Sequence, residues 1–163
     1  MTAEQQLVDA TLRAWKFNTD RYEAFFRDLT DEQLEQEVAP GRNRLLYLLG
    51  HIVAVTDRMM PLLGAGPRKH ADLDAAFLES ADRSVASPLS ASELKAMLTE
   101  VDNALWNVIS TWSAAEWVSR HTAVSDEDFA KEPHRNRLSV LLSRNTHLAF
   151  HYGQVILTTP RGE

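Results

Sequence analysis

Apolar residues recur along most of this chain at alternating steps of three and four, the spacing of one face of an α-helix. From about Thr2 to Leu29, the positions Leu7, Thr11, Trp15, Asn18, Tyr22, Phe25 and Leu29 make such a face. Thr30 to Gln33 has the form of a capping box and opens a short helical piece that Pro40 and Gly41 end. A second long stretch, Asn43 to about Leu63, carries Leu45, Leu48, Leu49, Ile52, Val55, Met59 and Leu62 on one side. Asn43 is its expected N-cap, and Gly64 suits the position just past its end. A linker from Gly64 to Ser90 holds Gly66, Pro67 and Pro88 and leaves room for one helical turn over Leu73 to Phe77.

Ser90 and Glu93 form another capping box. Leu94, Leu98, Val101, Leu105, Val108 and Trp112 then trace the buried seam of a third helix. Ser113 to Arg120 reads as a short turn, and the polar, acidic segment from His121 to His134 as loop. The fourth helix starts after Asn136 and runs to about Thr158, ahead of Pro160. No run alternates with the period of a strand. The expectation is an all-α chain, one domain over residues 1–163, in which four helices of ~20 residues, each ~30 Å long, pack as a four-helix bundle. The tetrads Arg42-Asn43-Arg44-Leu45 and Arg135-Asn136-Arg137-Leu138 echo each other at the starts of the second and fourth helices. Shared capping chemistry and a structural pseudo-repeat explain this echo equally well.

Composition narrows the function classes. Hydrophobic residues make up 44% and charged residues 25% of the 163 positions, ordinary globular usage. A net charge of −6 argues against a nucleic-acid face and against a surface for anionic lipid. The absence of cysteine removes disulfides, Cys-based zinc sites and any thiol nucleophile of the chain's own. The N-terminus lacks the basic start and apolar run of a signal peptide, and no stretch reaches the ~18 consecutive apolar residues of a membrane span. A soluble cytoplasmic protein is expected, with no nucleic acid or membrane as partner.

Six histidines carry the candidate chemistry. His70, His121 and His134 fall in expected loops and read as solvated. His147 and His151 lie four apart on one helix, so their rings project from one face, and two imidazoles so placed can share a metal ion. They belong to a polar stripe of Arg144, His147, His151, Gln154 and Thr158, which reads equally well as a solvent-facing face. His51 changes this balance. Leu48, Ile52 and Val55 surround it in sequence, so it faces inward. Measured from their expected N-caps, His51 and His147 lie roughly 12 and 16 Å along their helices, near the middle of each. Three imidazoles can therefore meet between helices, and a divalent metal is a reason to gather them.

At these residues the chain resembles the DinB-like superfamily. His147-x-x-x-His151-x-Gly153-Gln154 matches that family's C-terminal histidine pattern, and the apolar run from Leu45 through His51 matches the helix that carries its first ligand histidine. The resemblance implies an up-down-down-up bundle with its long crossover after the second helix. It implies His51, His147 and His151 as ligands to Zn, Ni or Fe, and a homodimer. Characterised relatives include S-transferases and isomerases that use low-molecular-weight thiols. Four tryptophans, Trp15 and Trp117 among them, offer apolar surface for such a dimer.

Three nitrogen ligands leave a coordination position open, as catalytic sites do. With no cysteine in the chain, a thiol in the reaction has to come from a small-molecule cosubstrate. Gln154, Tyr47 and Asn18 are candidates to line the substrate site or support the ligands, although each also suits packing or the surface. Asp57 lies beyond His51 and reads either as support for the site or, more readily, as a solvated surface group. Two function classes follow: a metal-dependent transferase or related enzyme acting with a small thiol, and a non-enzymatic metal-binding or stress-response module.

Overall fold

The computed structural model describes residues 2–158. Among them lie eight α-helices and no strand, with isolated bridges only at Glu37–Arg44 and Arg120–Asn136. Four helices are long: α1 (Ala3–Arg27), α3 (Leu45–Leu63), α5 (Ala91–Ile109) and α8 (Arg137–Val155). Four are short: α2 (Asp31–Leu34), α4 (Asp74–Phe77), α6 (Ala114–Trp117) and α7 (Asp126–Lys131).

Local chemistry sets most of the starts. Thr2, Thr30, Ser90 and Ser113 each cap a helix through a full capping box with Gln5, Gln33, Glu93 and Glu116. Each box satisfies donors that a free helix end leaves unpaired. Asn136 caps α8 by accepting from the Ser139 backbone. Gly64 takes the left-handed conformation at φ 71° and closes α3, a backbone geometry that suits glycine. Beyond it, Thr122 caps the last carbonyls of α3, donating from its hydroxyl to Pro61 O at 2.8 Å and from its backbone to Leu62 O at 3.0 Å.

The start of α3 departs from expectation. Its N-cap is Arg44, not Asn43, and no local side chain caps it. The Arg44 N–H donates instead to Asp82 Oδ2 at 2.7 Å, and the Arg44 guanidinium spans Asp82 and Glu35. The crossover segment thus supplies the cap that a neighbouring side chain usually does. The two echoing tetrads consequently enter their helices one residue out of phase. The segment from His121 to His134, expected as loop, contains α7, capped by Ser125 with three acids in its first turn. Acids at a helix N-terminus favour the macrodipole, so the acidity taken as a loop signal is helix-starting chemistry.

Cross-helix contacts fix the chain directions. Thr99 on α5 reaches Glu23, and Lys95 reaches the Leu29 carbonyl beyond the end of α1, so α1 and α5 run oppositely. Tyr22 near the end of α1 donates to Leu48 O near the start of α3, so those two also run oppositely. The core is one apolar cluster that includes Trp15, Tyr22, Phe26, Leu48, Leu49, Ile52, Leu98, Leu105, Trp117 and Leu148. Each such side chain withdrawn from water contributes about 1.5–3 kcal/mol. Trp15 and Trp117 are 3% and 0% exposed, so neither supplies the surface expected of it. On α1 the expected seam holds at Trp15, Asn18 and Tyr22, while toward the ends Val8, Leu12 and Phe26 turn inward in place of Leu7, Thr11 and Phe25, leaving Leu7 69% exposed.

α3 is long and apolar enough to cross a membrane by composition, at a mean hydropathy of 1.2. In the bundle it is instead the central helix: its longest contact is with α5, it also meets α8, and it buries Leu45, Leu48, Leu49, Ile52, Val53 and Leu63.

Candidate metal centre

α3 and α8 bring His51, His147 and His151 together, their candidate donor atoms all within 4.8 Å of one another. His147 Nε2 lies 3.2 Å from His51 Nε2 and 3.0 Å from His151 Nε2. The rings meet edge to face, with centroids 4.5–5.1 Å apart. All three side chains are half-buried.

The outer nitrogens are held from behind. His51 Nδ1 lies 2.8 Å from the Phe77 carbonyl, which can only accept, so this nitrogen carries the proton. His151 Nδ1 lies 2.7 Å from Gln154 Oε1 and donates to it in the same way. Both rings therefore turn bare Nε2 lone pairs inward. Neutral His147 has one proton to give. If Nε2 carries it, it serves one neighbour and leaves the other's lone pair facing a nitrogen with no second proton to give. If Nδ1 carries it, both inner contacts are lone pair against lone pair. His147 Nδ1 itself is buried and finds no partner among the described residues.

Burial, first, lowers the pKa of all three. For His147 the neighbouring His151, His51 and Arg144 add to this, taking it to about 4. The Phe77 carbonyl and Gln154 oppose the fall at His51 and His151 without reversing it. At neutral pH the cluster thus presents neutral imidazoles, the form that ligates metals.

The donor set suits a divalent ion. Nitrogens each about 2.0–2.1 Å from one ion at tetrahedral angles stand roughly 3.3–3.4 Å apart, close to the 3.0 and 3.2 Å found here. A cation at the centre also removes the repulsion that protons cannot. Among the described residues no cysteine or carboxylate joins the three histidines, so the chain's usual ligand types leave a position free.

The other candidates divide. Gln154 supports His151 and also lines a cleft of about 490 Å³ with Val38, Ala39, Arg42, Asn43 and Leu157. Tyr47 stacks near His51, centroids 6.1 Å apart, while its hydroxyl donates to Ser80 O at 2.8 Å. Asn18 is buried, and its amide donates to Asn145 on α8 at 2.6 Å, a link between helices. Asp57 is neither solvated nor joined to the triad. It is 2% exposed and accepts from the backbones of Lys69 and His70 and from Arg68. That tie holds His70 half-buried, unlike the solvated residue expected.

Two supporting features were missed. The Phe77 carbonyl carries no side-chain signature. Its approach does leave one trace, Gly50, where an added Cβ would lie 2.4–2.6 Å from the Phe77 ring. A glycine one residue before a candidate ligand, inside an apolar helix, signals such close packing.

An all-α bundle with a histidine triad between two of its helices, able to hold a metal ion, is the class that fold and site define. The chain belongs to the DinB superfamily, whose family model matches residues 14–155. No curated protein matches it.

Proposed function

We propose that this chain binds one divalent metal ion through Nε2 of His51, His147 and His151 and uses it as a metal-dependent transferase, or related enzyme, acting with a low-molecular-weight thiol. The observation that carries the metal reading is the inward turn of the lone pairs, two of them set by acceptors behind the rings. Imidazole ligands suit zinc, nickel and iron. A bound divalent ion supplies Lewis acidity, which lowers the pKa of a thiol or water presented to it. His51 and His151 keep the donor atoms oriented through Phe77 and Gln154, and the half-buried setting limits competing water. Superfamily membership and a vacant ligand position support the enzymatic reading over a purely metal-binding module. A homodimer, which rests on that membership, and a cytoplasmic setting, which rests on the composition of the chain, belong to the same proposal.

The test is titration of chelator-stripped protein with Zn²⁺, Ni²⁺ and Fe²⁺, followed by a screen of small thiols with electrophiles. One ion per chain is expected, with affinity falling at least ~100-fold in His147→Ala, which removes a ligand outright. Saturable binding that survives loss of all three histidines overturns the metal reading. A loaded protein that turns over no thiol favours the metal-binding module, and light scattering at one chain mass counts against the dimer.

A further inference from the structure

Arg144 stands one helical turn before His147 on α8, at the i, i+3 spacing that puts neighbouring side chains on one face. It is half-buried. Among the described residues it makes no hydrogen bond and no ion pair. Three other arginines of the chain contrast with it. Arg58 is paired with Asp74 at 2.6 Å, Arg68 with Asp57 and Asp74, and Arg44 with Asp82 and Glu35.

The position of its charge can be placed. It is felt at both His51 on α3 and His147 on α8, and Arg58 on α3 is felt at Arg144 in turn. Its place one turn before His147 on α8, half-buried, sets this charge close to the triad. Burial disfavours its charge, as does Arg58, and no carboxylate compensates. An arginine keeps its charge in proteins, so this one holds an unmatched positive charge beside the candidate metal centre. The chain as a whole carries −6, so an anion is drawn here by a local feature rather than by the general field.

We propose that Arg144 is the anion-recognition residue of this site, receiving the carboxylate of a small-molecule substrate or thiol cosubstrate whose reacting group lies at the histidine triad. The inference deepens the metal-centre reading and rests on it for the reacting group. A planar fork with two parallel N–H donors matches a carboxylate, and one uncompensated charge matches a monoanion better than a phosphate dianion.

Two measurements separate this inference from the metal reading. In the first, chelator-stripped protein with ¹⁵N-labelled arginine is titrated with acetate and, separately, with inorganic phosphate. A saturable shift of the Arg144 side-chain resonance with acetate, absent in Arg144→Gln, is expected. No saturable shift, or a response tighter to phosphate than to acetate, overturns the carboxylate assignment. In the second, Zn²⁺-loaded protein is titrated calorimetrically with mercaptoacetate and with neutral 2-mercaptoethanol. Wild type is expected to prefer the anionic thiol about 10-fold or more, the scale of a charge-assisted hydrogen-bonded contact. Arg144→Gln should lose the preference while still binding Zn²⁺, and Arg144→Lys should retain part of it. An equal preference in wild type and Arg144→Gln overturns the inference. Failure of wild type to bind Zn²⁺ overturns the metal reading and leaves the acetate titration to decide Arg144. Circular dichroism of each variant confirms that a lost response is not a lost fold.

Discussion

Two buried polar centres lie along α3, and they are built in opposite ways. At Asp57 every donor has found its acceptor: the carboxylate takes Lys69 N at 2.9 Å, His70 N at 3.0 Å and Arg68 Nε at 3.0 Å, and Arg68 continues to Asp74 at 2.7 Å. The carboxylate is fully engaged, and the effect is structural, since the segment after α3 is pinned to the end of that helix. At the triad His51 and His151 are satisfied outward and bare inward, while His147 has no partner behind it among the described residues. A fully connected network stabilises a particular backbone arrangement; one whose centre gathers more lone pairs than its protons can serve is complete when a cation arrives. Burial alone does not distinguish the two, because Asp57 is the more buried of the pair. The direction of the unused valences does.

The sharpest way to break this contrast is Asp57→Ala. It strands two backbone donors and takes from Arg68 one of its two carboxylates, and the expected loss of stability is about 3–5 kcal/mol, the cost of removing one partner of a buried pair. Urea unfolding of the metal-free protein reads it. A loss that disappears on adding metal would instead tie Asp57 to the triad.

Gly50→Ala comes next, because it strikes between the centres. Its Cβ would displace the Phe77 ring, at about 1–3 kcal/mol of overpacking. The Phe77 carbonyl moves with its ring, so His51 loses the acceptor that sets its tautomer. Weaker metal affinity should accompany the lower melting temperature. Unchanged affinity would mean that His51 needs no such support.

Gln154→Leu removes only the support of His151. Metal affinity should fall about 10–100-fold, the usual effect of losing a group behind a ligand, with stability changed by no more than about 0.5 kcal/mol. Parallel metal titration and thermal melts measure both.

The smallest expected effect concerns a third unsatisfied group, Asp102, whose enclosed Oδ1 has no partner among the described residues. Burial, then Glu23, raises its pKa to about 7 from 3.8. A carboxyl raised in the folded state takes up a proton on folding. Its stabilising contribution is therefore full below pH 3.8 and is lost as the pH rises through 7. Asp102→Asn should flatten that slope and be more stable than wild type at pH 8, on the order of 1 kcal/mol after the residue's partial exposure is allowed for. Urea midpoints at pH 5 and pH 8 decide the sign. Here a proton relieves the orphan, where at the triad three converging ring nitrogens call for a metal.

Much of the fold was legible in the chain because its determinants are local. The capping boxes at Thr30 and Ser90 and the glycine stop at Gly64 act within a few residues. Apolar periodicity likewise needs only one helix to be read. It held through the middle of α1 and slipped by one residue toward its ends, where Val8 rather than Leu7 turns inward, because 3.6 residues per turn leaves two adjacent candidates for an inward position and packing against neighbours picks one. The acidic start of α7 was misread because acids suit loops and helix N-termini alike.

The sequence by itself determined that four long apolar-faced helices form, that two histidines share a face of the last, and that a third lies inward at mid-helix in the second. These follow from spacing along one chain segment. Tertiary structure decided that the three Nε2 atoms converge, that Phe77 and Gln154 set the two outer tautomers, that Asp82 caps α3 from 38 residues away, that Asp57 anchors a loop, and that Arg144 has no partner among the described residues. Each of those depends on which groups distant in sequence arrive within hydrogen-bonding reach. Hydrogen bonds and charge pairs act over a few ångströms, and helix periodicity carries no record of what lies across the interface.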